Sequence, residues 1–253
     1  MDFTIRKYKE LLKALINMGF EFQTFEEFLI KPAPKSIVLR HDVDLLPFNS
    51  LNFAKIQNEL HIKGTYYFRA VPESWNVQVI KEISSLGHEI GYHYENLTKC
   101  NGDLSMGIQD FKNNLKALRE LAPVSTICMH GSPMSKYDSK DLWKVYKYGD
   151  YDIIGEPYFD INFNKVLYVT DTGRRWDGNK VSVRDRVETS LKLSFHSTQQ
   201  IIEAANQNQL PAKIMFTFHP QRWNDNLLIW SKELVLQNLK NIIKRVFFVK
   251  SYS

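Results

Sequence analysis

The chain has 253 residues, of which 43% are hydrophobic and 24% are charged, as is typical of a soluble globular protein with one large or two small domains. The formal net charge is +5, but the Lys and Arg residues are scattered along the chain, which argues against a nucleic-acid partner. Cys100 and Cys128 lack metal-ligand spacing and form no disulfide framework, and no apolar stretch is long enough to predict a transmembrane segment.

The first 30 residues or so are expected to form a helical extension of a single domain that covers residues 1–253. Apolar residues recur at helical spacing before Gly19, which predicts a helix over residues 3–18. Thr24 and Glu27 have the spacing of a capping box and predict a second, short helix over Phe25 to Leu29. Charges interrupt the start of the chain every few residues, so a signal peptide is not expected and a cytoplasmic location is.

After Pro34 the pattern becomes a series of apolar β-type runs, each followed by a polar junction and a helical stretch. This alternation is typical of βα units, and it predicts an α/β fold with a distorted or incomplete (β/α) barrel of about seven parallel strands. The predicted helices cover residues 48–61, 76–86, 105–121, 138–147, 197–208 and 231–245. The predicted strands cover residues 36–41, 65–69, 89–94, 125–130, 152–155, 166–170 and 214–219.

The segment from Arg40 to Asp44 follows the first apolar run of this series. Asp42 and Asp44 are two residues apart, so on a strand their side chains point to the same face and can share one site. Two carboxylates this close repel each other unless a cation compensates them, which favours a divalent metal with one aspartate as ligand and the other as base. The alternative is structural: the aspartates cap the next helix and pair with Arg40.

Other polar side chains also fall where predicted strands end. In βα barrels the carboxyl ends of the strands form the face on which active sites are built. His93 offers an imidazole nitrogen and Asp44 a carboxylate oxygen, a pair that suits zinc or another first-row divalent metal. The full set at this face is Asp42, Asp44, Arg69, His93, Glu95, His130 and His219.

Several residues, with Arg69 of the strand-end set among them, are candidates for substrate binding. Gly131 and Ser132 lie in a Gly-Ser-Pro turn after a predicted strand, where backbone amides could stabilise an oxyanion. Arg174 and Arg175 could hold an anionic or sugar group, and Trp223 could stack on a sugar ring, although a solvated loop and a buried core tryptophan are the alternatives.

The order of three motifs resembles the polysaccharide deacetylase family, carbohydrate esterase family 4, over roughly residues 36–220. The motifs are Asp-x-Asp at 42–44, Gly-His-Glu-Ile-Gly-Tyr-His at 87–93, and the strand-end pair His219 and Pro220. The resemblance implies a distorted barrel and a divalent metal, usually zinc, which holds the water that removes an acetyl group from an N-acetylated sugar. It also implies that Asp42 is the catalytic base, Asp44 and His93 are metal ligands, and His219 is the general acid.

The chain departs from that family at one ligand position. The family typically has a second histidine four residues after the first, whereas this chain has Leu97 there. His130 is our leading candidate for the third ligand, because it lies at the end of the next strand, where the family usually carries an arginine and proline motif. Glu95 is the alternative, since it lies two residues from His93 on the same side of an extended chain.

The expected activity is metal-assisted hydrolysis of an amide bond. The expected substrate is an N-acetylated sugar, sugar nucleotide or oligosaccharide, such as an intermediate of surface-polysaccharide synthesis. Two alternatives remain open: a hydrolase of a non-sugar carbon–nitrogen bond, and a catalytically silent barrel that binds sugars through Arg174, Arg175 and Trp223. The sequence does not fix the oligomeric state.

Overall fold

The computed structural model describes residues 1–132, 134–177 and 187–247, without the side chains of 244–247. Seven strands belong to one sheet. They are β1 (Glu21–Gln23), β2 (Ser36–Val43), β3 (Thr65–Phe68), β4 (Glu89–Tyr94), β5 (Ile127–Met129), β6 (Leu167–Thr170) and β7 (Lys213–Phe218).

Helices connect these strands. The α-helices are α1 (Ile5–Asn17), α2 (Phe25–Ile30), α3 (Pro47–Glu59), α4 (Val77–Ser85), α5 (Asn96–Lys99), α6 (Leu104–Arg119), α7 (Pro157–Asp160), α8 (Thr198–Asn206) and α9 (Leu227–Phe247). Short 3-10 helices span Ser139–Lys144, Tyr148–Tyr151 and Pro220–Arg222. Within the described ranges, none of the helices is long and apolar enough to cross a membrane.

All the strand pairs are parallel, and the spatial order is β5-β4-β3-β2-β7-β6. β1 and β3 share one edge of β2: β1 pairs with residues 36–38 and β3 with residues 40–43. The sheet curls into a half-barrel with helices around it, and among the described strands β5 and β6 remain unpaired with each other. The predicted α/β class and incomplete parallel barrel are therefore confirmed.

The details differ from the prediction in a few places. β1 has only three residues and was not predicted, because so short a run has no readable alternation. The predicted strand at 152–155 is absent apart from one bridge between Thr126 and Gly155, since Asp152 has a left-handed backbone with φ 56° and ends a 3-10 helix. The helix predicted at 138–147 is instead a 3-10 helix, and α9 begins four residues earlier than predicted.

The two faces of β2 explain how the site is supported. Ile37, Leu39 and Val43 belong to the large core between the sheet and the outer helices, whereas Val38 faces the barrel interior. Strand alternation places Arg40 and Asp42 on that same inner face. The inner face is thus apolar toward the amino ends of the strands and charged toward their carboxyl ends.

Helix α2 closes the amino end of the barrel. Its capping box is formed: Thr24 Oγ1 accepts from Glu27 N, and the Glu27 carboxylate accepts from Thr24 N. Phe25 and Phe28 pack into the interior cluster that contains Val38. The apolar side chains of α2 therefore fill the amino end of the barrel interior, and the polar site lies at the opposite, carboxyl end.

Candidate metal centre at the carboxyl ends of the strands

Four parallel strands deliver the predicted site residues to one face of the sheet. Asp42 lies in the last residues of β2 and Asp44 directly after it, His93 lies near the end of β4, and His130 and His219 directly follow β5 and β7. Parallel strands all end at the same edge of the sheet, so side chains that are far apart in the sequence meet there. The separations range from 37 residues, between His93 and His130, to 177 residues, between Asp42 and His219.

Asp44, His93 and His130 form one of two groups of potential metal ligands among the described residues. Asp44 Oδ1 lies 3.7 Å from His93 Nε2 and 3.5 Å from His130 Nε2. Each residue offers one ligand atom, and the three atoms lie within 4.8 Å of one another. Asp44 Oδ1 is buried and accepts no hydrogen bond, which is costly for a carboxylate oxygen unless a cation binds it.

Both histidines have their Nε2 atoms free to face this group. His93 Nδ1 lies 2.9 Å from the Cys128 carbonyl oxygen, and His130 Nδ1 lies 3.0 Å from Glu95 Oε2. Since a carbonyl or carboxylate oxygen can only accept, each Nδ1 carries the proton and each Nε2 presents its lone pair. Burial, followed by the proximity of His130, holds the pKa of His93 well below its usual range, so that its ring is neutral and able to ligate.

The donor set fits a zinc ion or a similar divalent metal. Zinc takes two imidazole nitrogens and a carboxylate oxygen at about 2.0–2.2 Å, and tetrahedral geometry then places neighbouring donors roughly 3.3–3.5 Å apart. The observed separations from Asp44 Oδ1 are close to that range. Three protein ligands leave one position open, as catalytic zinc sites do.

Leu97 and Glu95 do not complete this group. Leu97 is buried in the core cluster at the start of α5. Glu95 instead accepts two hydrogen bonds from Arg69 Nη2 and one from Arg69 Nε, and it contacts the outer nitrogen of His130. Burial opposes the charge of Glu95, but His130 and Arg69 outweigh it and lower its pKa to about 2. Glu95 is thus placed as the group that orients His130.

Two further substrate-binding candidates lie beside Glu95. Arg69 also donates from Nη1 to the backbone carbonyl of Asp44, so it ties the end of β2 to the segment after β4. Ser132 has a left-handed backbone with φ 28°, and its Oγ lies 3.1 Å from His130 Nδ1 and 3.4 Å from Glu95 Oε2. Gly131 lies in the same turn, and Pro133, the next residue of the predicted motif, lies outside the described residues.

Asp42 forms a buried ion pair with Arg40. Arg40 Nε and Nη2 donate to the two carboxylate oxygens over 2.8 and 2.7 Å, and both side chains are almost fully buried. Asp42 Oδ2 nevertheless lies 3.6 Å from His93 Nε2, at the edge of the candidate metal group. The pairing with Arg40 that the sequence offered as part of a structural alternative is therefore present, but neither aspartate caps α3, whose N-cap residue is Leu46 without a side-chain cap.

A second possible ligand group contains Asp42, His93 and Cys128. In this group the Arg40 guanidinium already occupies both oxygens of Asp42. The group around Asp44 is the better candidate, because its carboxylate oxygen has no other partner.

His219 is held by Asp171, a residue that the sequence analysis did not single out. His219 Nδ1 donates to Asp171 Oδ1 over 2.5 Å, which turns His219 Nε2 toward Asp44 Oδ2 at 3.8 Å and Asp42 Oδ2 at 4.0 Å. Asp171 also accepts from Arg222 Nη1 and Trp223 Nε1. Burial alone would raise the pKa of Asp171, but His219 and Arg222 lower it and keep the carboxylate charged. Asp171 directly follows β6, so the strand-end rule could have identified it.

Trp223 is placed differently from the prediction that it stacks on a sugar. Only 1% of it is exposed, and its ring packs against Phe3, Tyr8, Phe53 and Phe218. Because it is almost fully buried, it cannot accept a sugar ring, and its indole N–H supports Asp171 instead.

The structure does not bring Arg174 and Arg175 to the metal group. Arg174 is buried, its guanidinium lies 4.3 Å from the ring centroid of Trp230, and its Nη1 donates to the Trp230 carbonyl. Arg175 forms an ion pair with Asp177, which also contacts His196. Both guanidinium groups are thus engaged by neighbours other than the site residues.

The described residues together define a class of protein: an incomplete parallel α/β barrel with a candidate Asp-His-His metal centre at the carboxyl ends of its strands. No protein-family model and no curated protein matches the sequence.

Solved structures do match. A CE4 family pseudoenzyme from Bacillus anthracis is 14% identical with a TM-score of 0.43, and the match covers 84% of this chain and 62% of that one. A CE4 esterase from Streptococcus mutans is 13% identical with a TM-score of 0.46, covering 90% and 87%. The polysaccharide deacetylase from Bacillus cereus is 14% identical with a TM-score of 0.42, covering 81% and 88%.

This chain spans less than two thirds of the pseudoenzyme's length. The family named for these structures is the one that the sequence motifs resemble. Matches this distant do not decide the activity, which has to be argued from the residues of the site.

Proposed function

We propose that this protein is a metal-dependent hydrolase that removes an acetyl group from an N-acetylated sugar. The observation that carries the proposal is the buried Asp44 Oδ1, which has no hydrogen-bond donor and faces the Nε2 atoms of His93 and His130. Two further ionisable side chains lie next to this group: the carboxylate of Asp42 and the imidazole of His219. Metal-assisted amide hydrolysis uses three functions of this kind: a metal-binding set, a base and an acid.

Asp44, His93 and His130 would hold the ion, and zinc suits their donor atoms best. When bound, such an ion lowers the pKa of a coordinated water and polarises the substrate carbonyl. The outer contacts of His93 with the Cys128 carbonyl and of His130 with Glu95 fix the orientation of the two rings.

Asp42 would act as the base. Its Oδ2 atom borders the metal group, and the bidentate contact with Arg40 fixes the carboxylate plane and neutralises its charge in the buried site. In this role Asp42 would take up the proton that the attacking water loses.

His219 would act as the acid that protonates the departing amine. An amine leaves as a neutral molecule only if it receives a proton, and His219 Nε2 faces the two site aspartates from the β7 side. Asp171 would stabilise the protonated imidazole, because its carboxylate accepts the Nδ1 proton of the same ring. Backbone amides in the turn of Gly131 and Ser132 would help to stabilise the oxyanion.

The substrate that we propose is a cytoplasmic N-acetylated sugar, as a sugar nucleotide or an oligosaccharide intermediate of surface-polysaccharide synthesis. A silent sugar-binding barrel is less well supported, since Trp223 is buried and Arg174 is engaged with Trp230.

The test measures bound metal by elemental analysis and acetate release from N-acetylated sugars. Asp42→Asn should lower turnover by roughly two to four orders of magnitude, as expected for the loss of a general base, with metal content unchanged. Asp141→Asn, at a partly exposed aspartate of the 3-10 helix Ser139–Lys144 that pairs with Lys144, should change neither quantity.

Two results would contradict these assignments. Loss of the metal in Asp42→Asn would make Asp42 the ligand and reverse its role with Asp44. Absence of both bound metal and acetate release from the wild-type protein, after it has been supplied with zinc, would overturn the proposed function.

A further inference from the structure

Helix α9 presents its apolar side to solvent and its polar side to the protein. Leu228, Val235 and Ile242 are 81%, 66% and 60% exposed, whereas Gln237 and Asn241 are only 5% and 8% exposed. This is the reverse of the usual arrangement, in which the apolar stripe of a surface helix faces the core. The exposed aliphatic residues of α9 are Leu227, Leu228, Ile229, Val235, Leu236, Leu239, Ile242 and Ile243.

Polar contacts fix the helix in this orientation. On the buried side of α9, Asn241 Nδ2 donates to the Gly173 carbonyl and Asn241 Oδ1 accepts from Gln237 Nε2. Near the start of the helix, Trp230 Nε1 donates to the Asp2 carbonyl. Rotation of the stripe toward the core would break the hydrogen bonds to Gly173 and Asp2, so the apolar face is held outward.

The spacing of the stripe is that of a helix-packing face. Leu228, Val235 and Ile242 are separated by seven residues each, and Leu239 lies four residues after Val235. Apolar residues at alternating steps of three and four build the seam along which two helices pack, and Ile229, Leu236 and Ile243 widen this seam on one side.

The composition of the stripe favours a second helix over a membrane surface. All eight exposed apolar residues are aliphatic, while membrane-surface helices are typically rich in aromatic residues on the apolar face and in Lys and Arg on the polar face. Between residues 227 and 243 the exposed basic residues are Lys232 and Lys240, and Lys244 and Arg245 follow them in the sequence of α9.

The size of the stripe matches what a dimer needs. Its eight residues expose on the order of 800 Å², about the area that each partner contributes to an interface of standard size. We propose that α9 is the interface of a two-fold symmetric dimer, with α9 of a second copy of this chain packed antiparallel against it.

The sequence of the stripe is self-complementary about Val235. A two-fold axis at Val235 places Leu228 of one copy opposite Ile242 of the other, because both lie seven residues from the axis. The same axis places Lys232 opposite Asn238, which are each three residues away, so the only charge within the seam meets a polar side chain. Each Leu239 then faces the small Ser231 of the other copy.

The test is the mass of the protein in solution. The wild-type chain should sediment as a dimer at micromolar concentration. Val235→Glu should raise the dimer dissociation constant on the order of a hundredfold or more, because it buries two carboxylates face to face at the axis. Met106→Glu changes a residue of α6 that is 61% exposed and should leave the mass unchanged.

A second variant tests the symmetry. Val235→Cys should be cross-linked between chains by a short bismaleimide in high yield, and Met106→Cys should not, with the wild-type chain as the background for its own two cysteines. Circular dichroism checks that each variant is folded.

Three outcomes would overturn the proposal: a monomeric wild-type protein at tens of micromolar, a dimer whose mass is unaffected by folded Val235→Glu, or no cross-link at position 235. Binding of a monomer to phosphatidylserine-containing vesicles, lost in Val235→Glu, would assign the stripe to a membrane surface instead.

Discussion

Individual ligands of the candidate metal centre depend on residues that do not touch it. Glu95 is the clearest case, since its carboxylate contacts both His130 Nδ1 and the Arg69 guanidinium. Without Glu95, the ring of His130 could rotate or carry its proton on the nitrogen that faces the metal group. The acidic residue that the sequence offered as an alternative ligand therefore has a testable role as a positioning residue.

We predict that Glu95→Gln weakens zinc affinity by about ten- to a hundredfold, the usual effect of losing a hydrogen-bond partner of a ligating histidine. His130→Ala removes the ligand and should weaken affinity further. The measurement is competition for zinc against a chromophoric chelator, with Glu82→Gln on α4 as the control. If His130→Ala bound zinc as tightly as the wild type, His130 could not be a ligand.

At the scale of single residues, the sequence predicted which polar side chains lie together better than it predicted which side chains are buried. Asp42, Asp44, His93, His130 and His219 all come together, because each lies at or just after a strand end, which is readable from the chain. The burial of Trp223 was not readable. It depends on aromatic side chains brought together from α1, α3 and β7, and no local pattern reports such a cluster.

Among the elements, β4 shows how closely the strands of the site are packed. Gly91 lies two residues before His93, and a Cβ atom at this position would collide with the ring of Tyr67 on β3 and lie 3.1 Å from the Thr126 carbonyl oxygen. The glycine is needed for this close approach, since Tyr67 fills the space where a side chain would be.

We predict that Gly91→Ala destabilises the protein by about 1–3 kcal/mol, the usual cost of overpacking, and lowers Tm by roughly 2–10 °C for a chain of this size. Tyr67→Leu in the Gly91→Ala background should recover part of the loss, because it removes the colliding ring. Gly149→Ala is the matched control, since a Cβ there meets no atom within 4 Å. Equal melting temperatures for Gly91→Ala and Gly149→Ala would contradict the packing argument.

The order of elements was largely predictable, whereas their limits were less so. The alternation of β-type runs and helical stretches predicted the parallel sheet, but two short features escaped it. β1 exists because three residues can pair with the lower half of β2 while β3 pairs with the upper half, which is a tertiary effect. The run at 152–155 looked like a strand by composition, yet the left-handed Asp152 prevents it from extending.

For the whole molecule, buried acids of two kinds give opposite dependences of stability on pH. The pKa values of Asp171 and Glu95 are lowered by their cationic neighbours, so the stability that these groups contribute is lost as the pH falls. Glu89 and Glu156 behave in the opposite way, because burial raises the pKa of each to about 7.

Glu89 allows the second effect to be isolated. It lies in the barrel interior, where its carboxylate accepts hydrogen bonds from Glu26 N, Thr65 Oγ1 and Thr126 Oγ1. In the folded protein it binds a proton up to about pH 7, whereas in the unfolded chain it loses that proton near the ordinary value of 4.5. Its contribution to stability is therefore complete below about pH 4.5 and is lost as the pH rises to 7 and beyond.

Glu89→Gln replaces the carboxyl group by an amide that is neutral at every pH. Relative to the wild type, this variant should gain on the order of 2 kcal/mol in the free energy of unfolding between pH 5 and pH 8. The groups with lowered pKa values are present in both proteins, so their effect on stability cancels in the difference between them.

The measurement is denaturant unfolding of both proteins at the two pH values, with Glu59→Gln at the exposed end of α3 as the control. A difference between Glu89→Gln and wild type that is the same at pH 5 and pH 8 would mean that Glu89 is charged in the folded protein, and that the hydrogen-bond donors around it outweigh its burial.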